Sequence, residues 1–172
     1  MVMKLQDLAD LAKDAEKANN KLTAKLIKTT PRDLDTTAQA LHEKAFEKID
    51  CMSCGNCCKT TSPIFYQKDI ERLSKHFRIR PAAFIEKYLF FDSEDDFVLK
   101  DPAPCPFLGS DNDCMVYEHR PMACREYPHT NRKRFHQLLQ LTVKNTFICP
   151  AAYEVMEGLK KKYLNPEQNN KD

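Results

Sequence analysis

The stretch Cys51-Met-Ser-Cys54-Gly-Asn-Cys57-Cys58 places four thiols within eight residues, and the other four cysteines, Cys105, Cys114, Cys124 and Cys149, all follow it. Thiolates are soft ligands that select zinc, at about 2.3 Å per bond, or iron in a cluster, over magnesium or calcium. Eight thiols suit two four-sulfur sites, with the downstream cysteines brought back by the fold to meet the loop. The rival use of so many cysteines is disulfides, which rarely persist in a reducing cytosol. Asp7 and Asp10 interrupt the place where a secretory signal keeps an uncharged apolar core. Nowhere do about eighteen apolar residues run together as a membrane span requires. The expected compartment is the cytosol, with no membrane association, and the expected use of sulfur is metal.

Cys51, Cys54 and Cys57 have the C-x2-C-x2-C spacing of bacterial ferredoxin runs, and Cys149-Pro150 resembles the cysteine-proline that supplies a remote ligand there. That pattern favours an iron–sulfur cluster of the [4Fe–4S] type, completed by Cys149. Cys-x2-Cys is equally the zinc-finger knuckle, so zinc is the alternative. Adjacent side chains on a curved loop point apart. Cys58 is therefore expected to turn away and join Cys105, Cys114 and Cys124 in a second set, the rival being one cluster that draws on both halves with the leftover cysteines structural. A four-thiolate site carries net negative charge, which nearby donors offset. Arg120 and Arg125 flank Cys124 and are the candidate cations, unless they simply pair on the surface with Glu118 and Glu126. His119 and His129 are candidate replacements for a thiol.

Three separated motifs carry a resemblance: Cys51-x2-Cys54-Gly55-x-Cys57-Cys58, then Cys105-Pro106-Phe107-Leu108, then Cys114-x2-Tyr117-Glu118-x-Arg120-Pro121-x2-Cys124-Arg125-x-Tyr127-Pro128. Together they resemble the bacterial cysteine-cluster family called CxxCxxCC, described as a zinc- or iron-chelating domain. The resemblance implies a metal-binding role for these cysteines and names no reaction. Flagellin lysine methylases are similar in bearing a related cysteine cluster, which moves the expectation further toward iron–sulfur.

The elements that must position these residues are mostly helical. A chain of 172 residues buries about 70% of its unfolded surface, enough for a real core. Leu5, Leu8, Leu11, Ala15, Ala18, Leu22 and Ile27 make the stripe of an amphipathic helix over residues 1–29, with Asn19-Asn20 as a candidate interruption. Thr30-Pro31-Arg32-Asp33 offers a cap and a first-turn proline for a second helix, whose apolar face is Leu34, Ala38, Leu41, Ala45 and Ile49 and which delivers Cys51 into the loop at Gly55-Asn56. Further helices are expected from Gln67 to Phe77, with His76 placed to suit the helix dipole, from Pro81 to Phe90, and from Ala151 to Leu164. Phe97-Val98-Leu99 reads as a short strand, as does Leu141 to Phe147, and the polar residues 165–172 as a loose tail. The fold class is mainly α with a small irregular or β element, helices around a cysteine-rich metal-binding core. The expected division is an N-terminal helical hairpin (1–50), a cysteine-cluster domain (51–150), and a C-terminal helix with its tail (151–172).

Composition excludes several functions. Three glycines cannot build a glycine-rich phosphate loop or a dinucleotide fold. Cys54-x3-Cys58 opens the radical S-adenosylmethionine pattern, but position 61 is Thr. A net charge of +2, no tryptophan and a basic run of only Arg132-Lys133-Arg134 argue against nucleic acid as a partner. Three classes stay open: an iron–sulfur protein with a redox, sensing or cluster-related role, a zinc-stabilised interaction module whose partner protein meets the N-terminal helices, and a metal-dependent enzyme of unknown substrate.

Overall fold

The structure is a computed structural model that describes residues 5–164, and the tail expected at 165–172 lies outside them. In chain order the elements are α1 (Leu8–Thr29), α2 (Leu34–Phe46), α3 (Cys51–Cys54), α4 (Asn56–Thr60), α5 (Gln67–Phe77), α6 (Pro81–Tyr88), β1 (Leu89–Phe91), β2 (Phe97–Leu99), α7 (Met122–Glu126), α8 (Leu139–Asn145) and α9 (Pro150–Tyr163). The protein is mainly α, with one small antiparallel sheet in which Leu89 pairs with Leu99 and Phe91 with Phe97. Two compact units divide the chain, one of residues 1–50 with 128–172 and one of residues 51–127.

In the first unit α1 packs on α8 and α9, and α2 packs on α9. The inward face of α1 is Leu8, Ala12, Ala15, Asn19, Leu22, Thr23 and Leu26, and the helix continues unbroken through Asn19-Asn20. Leu5, Leu11 and Ile27, expected in the buried stripe, are exposed. Leu11 and Ile27 lie at or beyond the edge of the buried face of α1, and Leu5 stands in the short 3-10 turn that precedes the helix. Thr30 does not start the second helix: with φ of 37° it ends α1, its N–H donating to Leu26 O, and Asp33 stands at the N-cap of α2. That helix stops at Phe46, before the first cysteine. The core gathers Leu22, Leu26, Leu34, Ala38, Phe135, Leu139, Val143, Val155, Met156 and Leu159.

The strand expected over Leu141 to Phe147 is instead α8 and the turn after it. Leu139, Thr142, Val143, Asn145 and Thr146 are buried, which is helical spacing. The Thr142 hydroxyl donates to Leu138 O and that of Thr146 to Val143 O, so both are satisfied inside the core by the local backbone. Pro81 starts α6 as expected, but Leu89 and Phe90 leave the helix for β1, where Leu89 is buried beside Leu99.

Asp35 ties distant parts of this unit together, accepting the N–H of Arg134 at 2.8 Å and of Phe135 at 2.9 Å. His42 shares a 2.8 Å hydrogen bond with the Thr130 hydroxyl and packs its ring 4.5 Å from Phe46. Gly158 lets α2 approach α9: a Cβ there would meet Leu41 Cδ1 at 2.9 Å and Cγ at 3.1 Å.

Two predictions follow for this unit. Gly158→Ala gains helix propensity of about 1 kcal/mol but overpacks Leu41, and a net loss of roughly 1–2 kcal/mol is expected in urea unfolding; equal or greater stability would contradict the close approach. Burial lowers the pKa of His42. Below the ordinary histidine value of about 6.5 the unfolded chain therefore binds more protons than the folded one. The contribution of His42 is complete above that pH and is lost as pH falls through and below it. His42→Gln should flatten the decline in unfolding free energy between neutral and mildly acidic pH, and a decline as steep as the parent's would be the contrary result.

Candidate metal centre

The second unit rests on an aromatic cluster. Phe65, Ile70, Leu73, Phe84, Leu89, Leu99, Phe107 and Val116 are buried together, with Phe77, Tyr88, Cys105 and Cys114 packed against them. The Phe77 and Phe107 rings stack at 5.6 Å between centroids, and Tyr88 lies 5.1 Å from Phe107. Cys105 and Cys114, on either side of Phe107 in sequence, are thereby fixed on this wall.

Four short segments present the thiols. Cys51 and Cys54 begin and end α3, and Gly55, with φ of +56°, turns the chain into α4, which carries Cys57 and Cys58. A backbone contact joins this double turn to the later cysteines, Cys105 N–H donating to Cys58 O at 2.7 Å, and within the later segment Leu108 bridges to Cys114. Asn112, itself at φ of +68°, donates from Nδ2 to Ser53 O at 3.1 Å and lies against Gly55. Cys124 sits in the middle of α7. Cys149 belongs to the first unit, at the N-cap of α9 and buried. Cys54, Cys58, Cys105, Cys114 and Cys124 are in no disulfide.

Cys58, Cys105, Cys114 and Cys124 are close enough for the charge of Cys58 to raise the pKa of each of the other three. Burial is the largest cause in all three, pushing Cys105 to about 11 and Cys124 to about 12, and Cys114 in the same direction. Cys58 is the exception, brought down to about 7 by its hydrogen bond with Cys57, against burial, with Arg120 and Lys59 adding attraction. Cys58 does not turn away from Cys57, as adjacent positions suggested. Their sulfurs lie 4.0 Å apart. Two thiolates on one tetrahedral zinc, each about 2.3 Å from it, sit about 3.8 Å apart, so the pair is compatible with a single centre. Among the described residues, no three His, Cys, Asp or Glu side chains already surround a common point as ligands.

The two candidate arginines differ. Arg120 is half-buried, its guanidinium 3.5 Å from the Tyr117 ring centroid and its Nε donating to Tyr117 O at 2.8 Å. Its charge lowers the pKa of Cys58, Cys114 and Cys124. Arg125 is on the exposed side of α7. The His119 ring packs 4.4 Å from His76, which sits in the last turn of α5, and His129 lies in the first unit.

Sequence patterning did not single out Asp69 and Arg72. Asp69 is 2% exposed; its Oδ2 accepts Tyr66 N–H at 3.1 Å, while Oδ1 accepts Arg72 Nη2 at 2.6 Å and Met122 N–H at 3.1 Å. Arg72 also donates to Arg120 O at 2.7 Å and His119 O at 3.3 Å. From sequence the two show only as a first-turn acid and an i,i+3 pair, since their distant partners are backbone groups with no residue signature.

A small α-rich unit that brings cysteines from separated segments beside one another defines the class, a cysteine-cluster protein. A family model described as "CxxCxxCC: Putative zinc- or iron-chelating domain" matches residues 50–143. The chain belongs to this family. Comparison with curated proteins and with solved structures finds no match.

One prediction concerns the turn that carries the first thiols. Placing a side chain at the left-handed Gly55 costs roughly 1–2 kcal/mol, and a Cβ there would press on Asn112 Cβ and Cγ at 3.1 Å. Gly55→Ala should lower the thermal midpoint of the metal-free protein by several degrees, on the order of 4–8 °C per kcal/mol for a unit of this size. An unchanged midpoint would show that the turn does not depend on this conformation.

Proposed function

We propose that residues 51–127 hold a metal centre on Cys58, Cys105, Cys114 and Cys124, with Arg120 offsetting its negative charge. The observation that carries this reading is that these thiols, from segments distant in sequence, lie in one unit: Cys105 and Cys114 pack on its aromatic wall, Cys105 N–H is bonded to Cys58 O, and the charge of Cys58 acts on the other three. Their chemistry fits the group: all are sulfur, which favours zinc or iron over hard cations. Metal–sulfur bonds would close an arrangement that the backbone has brought together but not completed, as expected where binding and folding are coupled.

We favour an iron–sulfur cluster over zinc because Cys51, Cys54 and Cys57 add a ferredoxin-like run in the same unit. When bound, a [4Fe–4S] cluster supplies one-electron transfer, which suits a redox or sensing role. The chain's own part is to keep the sulfurs partly shielded from water and to place the Arg120 guanidinium where it favours the thiolate form. No helix among the described residues is long and apolar enough to cross a membrane. The reading places the protein in a reducing cytosol, where thiols remain available to metal.

The full chain purified without oxygen should be brown and contain iron with acid-labile sulfide. Cys114→Ser should reduce bound metal by at least one centre per chain and lower the thermal midpoint. Colourless protein with stoichiometric zinc would replace the cluster by a zinc site while retaining the cysteine centre. Protein that takes up neither metal after anaerobic reconstitution would overturn the reading.

A further inference from the structure

We propose that Asp69 and Arg72 of α5 are positioning residues for the cysteine centre: they clamp the His119–Met122 turn, and through it set the placement of Arg120 and Cys124. The inference rests on the reading of Cys124 as part of that centre. It goes beyond that reading by assigning a task to two residues that hold no metal and lie outside the cysteine motifs.

Local structure alone does not require this arrangement. To cap α5, Asp69 needs only the bond from Tyr66 N–H to Oδ2. Its other oxygen points across the unit and accepts the amide of Met122, the first residue of α7, two positions before Cys124. Arg72 is committed in the same direction. One Nη2 donates both to Asp69 and to Arg120 O, and Nε reaches His119 O. A third contact comes from the same helix, where His76 packs its ring 4.4 Å from His119.

A lysine in place of Arg72 would carry its three donors on a single nitrogen and could not reproduce this fork, because the guanidinium directs donors from separate nitrogens in fixed relation. Asp69 is nearly sealed from water, so its charge is compensated by these donors and little else, and breaking the pair leaves a buried carboxylate short of partners. The clamp therefore has one favourable state. In that state the Arg120 backbone is held by Arg72, while its side chain is held by Tyr117 through both the carbonyl and the ring. Both ends of Arg120 are fixed, and α7 begins at a fixed amide.

The test uses the full chain with Asp69→Asn, which keeps the shape and an acceptor but removes the charge, and with Arg72→Lys. The first readout is the alkylation rate of each cysteine by iodoacetamide in reduced, metal-free protein, resolved by peptide mapping. The clamp predicts at least a tenfold faster reaction at Cys124 with little change at Cys149, which lies in the other unit. Equal acceleration at both would indicate general loosening, and no acceleration at Cys124 would mean the turn is held by other contacts; either overturns the inference. The second readout is titration with cobalt(II), whose thiolate charge-transfer absorption reports binding. Affinity at least tenfold weaker is expected in both variants, and parental affinity would overturn the positioning role. If the parent chain itself binds no cobalt or other metal, the proposed centre fails, whereas the alkylation contrast still decides whether the clamp positions Cys124.

Discussion

Sulfur held partly away from water, beside more sulfur, is the constraint on which the cysteine unit depends. Burial keeps Cys105 and Cys124 protonated far above neutral pH, and the charge of Cys58 adds to the cost of ionising either. Cys58, by contrast with these two, is drawn toward the thiolate near pH 7, chiefly by its hydrogen bond with Cys57. Neutral thiols pack as small hydrophobes, but this group could not ionise together without mutual repulsion. A cation taking the place of the protons would relieve that repulsion, as the proposed metal centre would.

The two units obtain their order differently. The first is an ordinary helical core, in which the faces of α1, α2, α8 and α9 bury aliphatic side chains with Phe135, and apolar burial is sufficient explanation for it. The second has a compact aromatic wall on one side, while its thiol side is joined by short helices, a left-handed glycine and isolated backbone bonds. Short helices of four or five residues are not stable on their own. Contacts such as Cys105 to Cys58, Asn112 to Ser53 and Asp69 to Met122 hold them in place.

Much of this was legible where the sequence carries strong local signals. Pro81 and Pro150 mark helix starts, the spacing of Leu34, Ala38 and Ala45 shows which side of α2 is buried, and the cysteine motif announces the family whose model matches residues 50–143. The helix that stands in place of the strand expected at Leu141 to Phe147 was not legible, because Thr142 and Thr146 become buried hydroxyls satisfied by local carbonyls, which a hydropathy pattern scores as polar. Arg125 adjoins Cys124 in sequence and Arg120 stands four residues before it, yet it is the more distant Arg120 that is packed on an aromatic ring near the thiols. Asp69 and Arg72 showed only as a first-turn acid and an i,i+3 pair, since their other partners across the unit are main-chain atoms roughly fifty residues away.

The central claim is that a metal is held by sulfur from this cysteine cluster, and X-ray absorption at the metal edge of the anaerobically purified full chain measures that most directly. The account predicts a first shell made wholly of sulfur at about 2.3 Å, with a second shell of iron scatterers if the centre is a cluster. A first shell dominated by nitrogen or oxygen would contradict it.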